Sequence, residues 1–300
     1  MQNAGFASFN EELVINQNTA CGRQQANHHH QIKSREINHQ SKKRTVMKQI
    51  IITAFTALIT LAAQAQVKET RTAHPISTLQ VSDGITVVFK QGTTPELAVE
   101  AADRNTLDNV VTEYKKGTLN VYFKSANETG MAAANGVKVY ISGNVTGFTA
   151  NKGAAIKMDG VLKTANVDIT LNSGAVFTAE VNASGTLHIK AHGGAGYRGV
   201  VTAAHFKADA TGGAYIKASG HADDVNIICK GGSVHAGKLF CQSATVRAIN
   251  AASVSVNASE YVYADADGSS SISYYGEPKN AVIGTNSYTI VRETEKLTLN

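Results

Sequence analysis

Val167-Asp168-Ile169-Thr170-Leu171-Asn172-Ser173-Gly174 sets the pattern on which the chain is built. Apolar and polar residues alternate, and a small-residue corner ends the run. Alternation at period two turns one face of a strand inward and the other outward. The arrangement returns three times. Leu187, Ile189 and Ala191 precede Gly194; Phe206, Ala208 and Ala210 precede Gly213; Val225, Ile227 and Cys229 precede Gly232. Each set lies seven, five and three positions before its glycine, and every member is apolar. The residues between are Asp168, Thr170, His188, Lys190, Lys207, Asp209 and Asn226, with Ile228 the one apolar exception.

Outward from this stretch, small-residue anchors fall at Gly153, Gly174, Gly194, Gly213, Gly232, Ala252 and Ser270, spaced 18 to 21 residues apart. The register slips at the last two, where Ala and Ser replace Gly, as atypical terminal repeats do. Leucine-rich repeats share the period, but their Leu framework is missing. Helical solenoids and propeller blades need longer repeats. The solution left is an all-β chain folded as a single-stranded parallel β-helix, a solenoid of ~20-residue coils. Small residues suit its corners, where the backbone turns sharply and coils stack closely. Seven coils rising roughly 4.8 Å each make a rod about 33 Å long. Each large apolar side chain buried inside contributes roughly 1.5–3 kcal/mol.

Residues 67–145 are ordinary β sequence. Leu79, Val81, Ile85, Val87 and Phe89 alternate around the turn dipeptide Asp83-Gly84. Val110–Tyr114 and Leu119–Phe123 flank Lys115-Lys116-Gly117-Thr118, a hairpin signal, and 103–109 reads as a short helical turn. Val137, Val139 and Ile141 read as a further strand. This segment is expected to supply the first coils or an N-terminal cap. Residues 148–278 supply the regular coils. Residues 279–300, with Tyr288-Thr289-Ile290-Val291, form a C-terminal cap that covers the open edge.

The chain has 300 residues and a formal charge of +5. Residues 1–65 hold seven Lys or Arg and three acids, so the remainder is close to neutral. Such a body offers no electrostatic footprint for a polyanion, and nucleic acid is not expected as a partner. Met47-Lys48, the apolar run Ile50–Ala63 and Ala63-Gln64-Ala65 make a signal peptide over 47–65, with Gln66 the first mature residue. The run is too short for a comfortable bilayer span, so the processed chain is not expected to be an integral membrane protein. Residues 1–46 are polar and aperiodic, which suits an over-extended start or a disordered leader. His28-His29-His30 within them lacks the further ligands of a metal site. Cys21 falls in this leader, leaving Cys229 and Cys241 in the body; both read as small core residues, and whether they pair stays open.

Three segments carry a resemblance. They are Leu79-Gln80-Val81-Ser82-Asp83-Gly84-Ile85-Thr86-Val87-Val88-Phe89-Lys90-Gln91-Gly92; Asn105–Val110 followed by Lys116-Gly117-Thr118-Leu119-Asn120-Val121; and Ile272-Ser273-Tyr274-Tyr275-Gly276-Glu277-Pro278. In this order, with small-residue coils between, residues 75–295 resemble the auto-transporter adhesin head GIN domain family of Bacteroidetes-type bacteria. The resemblance implies a right-handed β-helix, a signal peptide and a cell-envelope or extracellular location, with no defined active site; the exported chain is expected in the periplasm, associated with the outer membrane or outside the cell. The sequence departs from the family in Asp83-Gly84, where a plainer Ser/Gly turn is expected.

Several constellations invite chemistry. Gly194-Ala195-Gly196-Tyr197-Arg198-Gly199 matches G-x-G-x-x-G, but Val200, Val201 and Thr202 follow where a dinucleotide site needs a helix. Asp209, Asp223 and Asp224 are the best acid cluster, yet the repeat lattice does not stack Asp209 over either partner for a glycosidase pair. Asp265-Ala266-Asp267-Gly268 is a fragment of a calcium loop. His188, His192, His205, His221 and His235 concentrate in the middle coils; on a strand the first two stand about 13 Å apart. Tyr261, Tyr263, Tyr274, Tyr275 and Tyr288 suit either a sugar-stacking strip or packing over the last coil. No residue is assigned as catalytic, cofactor-binding or metal-ligating. The reading is a non-enzymatic, exported, adhesin-like binding module with a glycan or protein ligand. The alternatives are a polysaccharide-active β-helix enzyme and a structural or assembly protein of the envelope.

Overall fold

All twelve apolar positions of the four aligned repeats point inward and are buried, from Val167 through Cys229. The computed structural model describes residues 66–124, 136–284 and 289–293, all within one unit, Ala65–Asn300. The leader, the signal segment and Tyr288 lie outside the described residues.

The first strands are β1 (Val67–Thr70), β2 (Thr78–Val81), β3 (Thr86–Gln91) and β4 (Glu96–Ala101). Helix α1 (Arg104–Asp108) precedes β5 (Val110–Lys115), β6 (Thr118–Phe123) and β7 (Lys138–Gly143). The repeats hold β8 (Gly147–Ala150), β9 (Ala155–Thr164), β10 (Val167–Asn172), β11 (Val176–His192), β12 (Gly196–Thr211), β13 (Tyr215–Lys230), β14 (Ser233–Ile249) and β15 (Ser253–Ala266). β16 (Ser271–Tyr275), β17 (Asn280–Ile283) and β18 (Ile290–Arg292) finish the described chain.

The chain is the parallel β-solenoid that its period indicates. Each long strand bends midway and contributes to two faces. One face stacks β3, β9 and the first halves of β11 to β15. The other stacks β2, β8, β10 and the second halves. In-register neighbours run Val167, Leu187, Phe206, Val225, Ala244 and Val262, an inward column of apolar side chains. Phe89, Phe148, Phe177 and Tyr197 form an aromatic column inside, with successive ring centroids 5.3, 5.2 and 6.2 Å apart.

The corner between the faces is a stack of left-handed turns. Gly193 (φ 64°) and Gly194 (φ 74°) occupy consecutive left-handed positions, which is why glycine stands there. Each corner amide donates to the carbonyl of the next coil: Gly153 N to Ser173 O (2.9 Å), Gly174 N to Gly193 O (2.9 Å) and Gly194 N to Gly212 O (3.1 Å). At the last full corner Asn250 (φ 58°) and Ala251 (φ 59°) take the same conformation without glycine. Side chains take over the acceptor role there. Asn250 N donates to Asp267 Oδ2 (2.7 Å), Ala251 N to Ser269 Oγ (3.0 Å) and Ala252 N to Ser270 Oγ (3.1 Å).

The N-terminal region is built differently. β2 lies between β6 and β8, and β3 between β7 and β9. The coil that comes first in the sequence is therefore second in space, inserted under a later one. Three pairings here are antiparallel, β1–β4, β4–β7 and β5–β6, so the single-stranded parallel lattice does not extend to this end. The β5–β6 pairing is set by a two-residue turn. Lys116 (φ 49°) and Gly117 (φ 77°) both have positive φ, as a type I′ hairpin requires, and they return the chain onto the stack. α1 opens at Asp103, whose Oδ1 accepts from Thr106 N at 2.7 Å. Arg71 ties this cap together, donating to Val110 O (2.6 Å), Leu107 O (3.1 Å) and Glu69 Oε1 (2.9 Å). At the other end β17 extends β15 and β18 extends β16, both parallel.

Candidate functional site

Outward side chains are the material available for function, and the lattice arranges them in rows across neighbouring strands about 4.8 Å apart. The Gly194–Gly199 motif sits within this lattice. Gly194 is a corner, and Gly196 begins strand β12, not a helix. Gly196 lies beneath the Tyr215 ring, where a Cβ has no room. The motif is thus a coil junction, and no helix N-terminus faces a pyrophosphate.

The acids separate. Asp209 faces Ile228 across the coils, whereas Asp224 faces His205. His188 Nε2 stands 2.8 Å from Asp209 Oδ2, and its Nδ1 stands 3.6 Å from Asp168 Oδ1. His205 Nδ1 stands 3.1 Å from Asp224 Oδ2. His188 thus bridges Asp168, its register partner, and Asp209 of the adjoining row, His205 pairs with Asp224 in one row, and Asp223 is exposed beside them. Asp209 and Asp224 are engaged with different histidines and are not register partners of each other, so they do not face one another across a water as a glycosidase pair would.

Asp267 is a corner brace. It accepts from Asn250 N, Ser269 N and Ser269 Oγ. The Asn250 amide first, helped by the serines, holds its carboxyl down to about 2. Asp265 instead stands 3.7 Å from Arg247. The calcium-loop fragment is therefore spent on hydrogen bonds within the fold. Asp83 does the same at the first corner. Burial pushes its carboxyl up, but Ser82 Oγ and Phe123 N donate to it and Lys152 stands 3.3 Å away, leaving it below the usual range. This explains the departure from a plainer turn.

His192 meets Thr211 Oγ1 at 2.7 Å, and His221 and His235 are exposed. Cys229 and Cys241 are buried and free. Burial raises both thiols, Cys241 to about 12 with the Asp224 charge adding to the effect. Cys241 Sγ donates to Asn257 O at 3.2 Å. The tyrosines divide. Tyr261 and Tyr263 lie on the second half of β15, Tyr274 packs against the core, and Tyr275 covers Gly237. They do not form one strip.

One concavity was not foreseen. It is an open groove of about 610 Å³ on the outer side of β1, β4, β7 and β3, lined in part by Lys68, Arg71, Lys90, Glu96, Tyr140 and Asp159. Lys68 Nζ stands 4.9 Å above the Tyr140 ring, and Tyr140 OH donates to Glu100 Oε2 at 3.2 Å. The antiparallel strands β1 and β4 are brought beside the parallel neighbours β3, β7 and β9, so no local spacing in the sequence announces the groove.

Residues 76–278 match the family described as "Putative auto-transporter adhesin, head GIN domain". A "putative adhesin" structure from Parabacteroides merdae has a TM-score of 0.68 at 16 % identity, covering 76 % of this chain and 96 % of that one. A "putative adhesin" from Parabacteroides distasonis has a TM-score of 0.68 at 17 % identity, covering 76 % and 97 %. A "Putative lipid binding protein" from Parabacteroides distasonis has 0.55 at 17 % identity, covering 76 % and 97 %. At these identities the likeness is one of fold. No curated protein matches the chain. The family match covers well over half of the sequence and every regular coil, and the chain belongs to the auto-transporter adhesin head GIN domain family.

Proposed function

We propose that this is an exported cell-envelope or surface protein whose solenoid is a non-enzymatic, adhesin-like binding module. Membership of the adhesin head family carries the reading. The architecture supports it: stacked coils present outward side chains in extended rows on two faces, a form suited to an elongated ligand. Asp209 and Asp224, two of the three acids most suggestive of hydrolysis, are engaged with separate histidines. Export is supported by the signal-peptide features of 47–65 and by the position of β1, which opens at Val67, just beyond the proposed cleavage after Ala65.

The test is made on cells. The protein is labelled at the surface of intact bacteria, its N-terminus is sequenced, and attachment of wild-type and deletion strains to glycan- and matrix-coated surfaces is compared. The expected result is a surface-labelled chain beginning at Gln66 and weaker attachment of the deletion strain. An unprocessed chain shielded from label, or unchanged attachment, would overturn the reading.

A further inference from the structure

The near-neutral charge of the body conceals an uneven distribution. On the face built from the first halves of the long strands, one outward row runs Lys157, Thr178, Arg198, Lys217 and His235, each the register partner of the next. All five are exposed. Lys157, Arg198 and Lys217 have no carboxylate within ion-pair distance among the described residues, nor do the flanking acids Asp159 and Glu180 engage any cation. The opposite face differs. There acids stand beside bases along the rows, as in Asp168–His188 and Lys190–Asp209, and Arg247 neighbours Asp265. Symmetric stacking thus yields one face with interleaved charge and one with an unmatched line of cations.

We propose that the Lys157–His235 row is a docking ladder for a linear anionic polysaccharide laid across the strands, along the solenoid axis. From Lys157 to His235 is four strand steps, roughly 19 Å. A glycan with a carboxylate or sulfate on successive or alternate sugars has a charge repeat of the same order as the strand spacing. Thr178 supplies a hydroxyl between two cations. Tyr215 lies flat over Gly196 in the adjoining row, two residues before Lys217, and gives a platform on which a sugar ring can rest. The row continues through Val88 to Tyr140, so it runs into the groove that holds Lys68 and Lys90. Arg198 at the centre suits bidentate contact with a planar carboxylate or a sulfate. The choice of a glycan over another polyanion rests on the surface-binding reading above; the ladder itself rests on register and charge.

Residues 66–300 contain every core residue among the described residues, from Ile76 to Ile290, and serve as the test protein. Binding is measured by calorimetry to polygalacturonate, heparin, neutral dextran and double-stranded DNA, at low and high salt. Two triple variants are compared. One removes the ladder (Lys157→Gln, Arg198→Gln, Lys217→Gln). The other removes three exposed lysines of the opposite face (Lys190→Gln, Lys207→Gln, Lys230→Gln). Thermal unfolding confirms that both fold. The expected result is salt-sensitive binding of one or both acidic glycans and none of dextran. Affinity should fall about tenfold or more in the ladder variant and less than about twofold in the other. Equal loss in both variants would overturn the ladder, and DNA binding as tight as the glycan would overturn the assignment to a polysaccharide. If acidic glycans fail while the deletion strain still attaches poorly to surfaces, the ladder falls and the adhesin-like reading stands. If the glycans bind but the protein is not displayed on cells, the reverse holds.

Discussion

The middle coils and the N-terminal region share one inward pattern but differ in how strands find their neighbours. From β10 to β15 each strand half pairs with the one about a period away, so spatial order equals sequence order. From β1 to β7 the alternation is equally regular, as in Leu79, Val81, Val87 and Phe89, all buried. Yet β2 pairs with β6 and β8, and β4 runs against β7. Alternation specifies which way a side chain points. Only a constant period also specifies which strand lies beside it.

Cross-linking breaks or confirms this difference most sharply. Gln80 is the register partner of both Asn120 and Thr149. Cysteine pairs at 80/120 and at 80/149 should oxidise readily, whereas 120/149 should not, because β2 stands between them. Efficient bridging of 120/149 would mean that the coils stack in sequence order.

Stability measurements come next. Phe177 sits in the aromatic column, and Phe177→Ala should cost about 3–5 kcal/mol in denaturant unfolding. A loss under about 1 kcal/mol would contradict a close-packed column. Arg71→Ala should cost less, about 1–3 kcal/mol, by leaving the Val110 and Leu107 carbonyls without their donor. Its protection loss in hydrogen exchange should be confined to the N-terminal cap. Gly194→Ala places a Cβ at φ 74° and should cost about 1–2 kcal/mol. A neutral effect would show that the corner relaxes.

The smallest effect is a pH dependence at the last corner. The Asp267 carboxyl is held at about 2 in the folded chain, from an ordinary value of 3.8. Its contribution is therefore complete above pH 3.8 and is lost as pH falls towards 2. The melting temperature of the natural chain should exceed that of Asp267→Asn above pH 4, with the gap closing below. A gap independent of pH would remove the charge from the explanation.

These contrasts show what was legible. The repeat made the coils readable, because Leu171, Ala191, Ala210 and Cys229 each sit three before a glycine that turns a corner. The hairpin at Lys116-Gly117 and the short helix at 104–108 were readable from turn and cap chemistry. Spatial order at the N-terminal end was not, since nothing in 78–91 records that 118–123 will stack against it. The groove with Lys68 and Tyr140 was hidden for the same reason. The cation row was hidden differently. Lys157, Arg198, Lys217 and His235 lie one or two coils apart, and a charge total for the chain averages them with the acids of the opposite face.

The most direct test of the whole account is a glycan and matrix-protein array probed with residues 66–300, followed by product analysis of every glycan that is retained. The account predicts retention with the glycan recovered intact. Cleavage of a bound glycan would contradict it and turn attention to Asp209, Asp223 and Asp224.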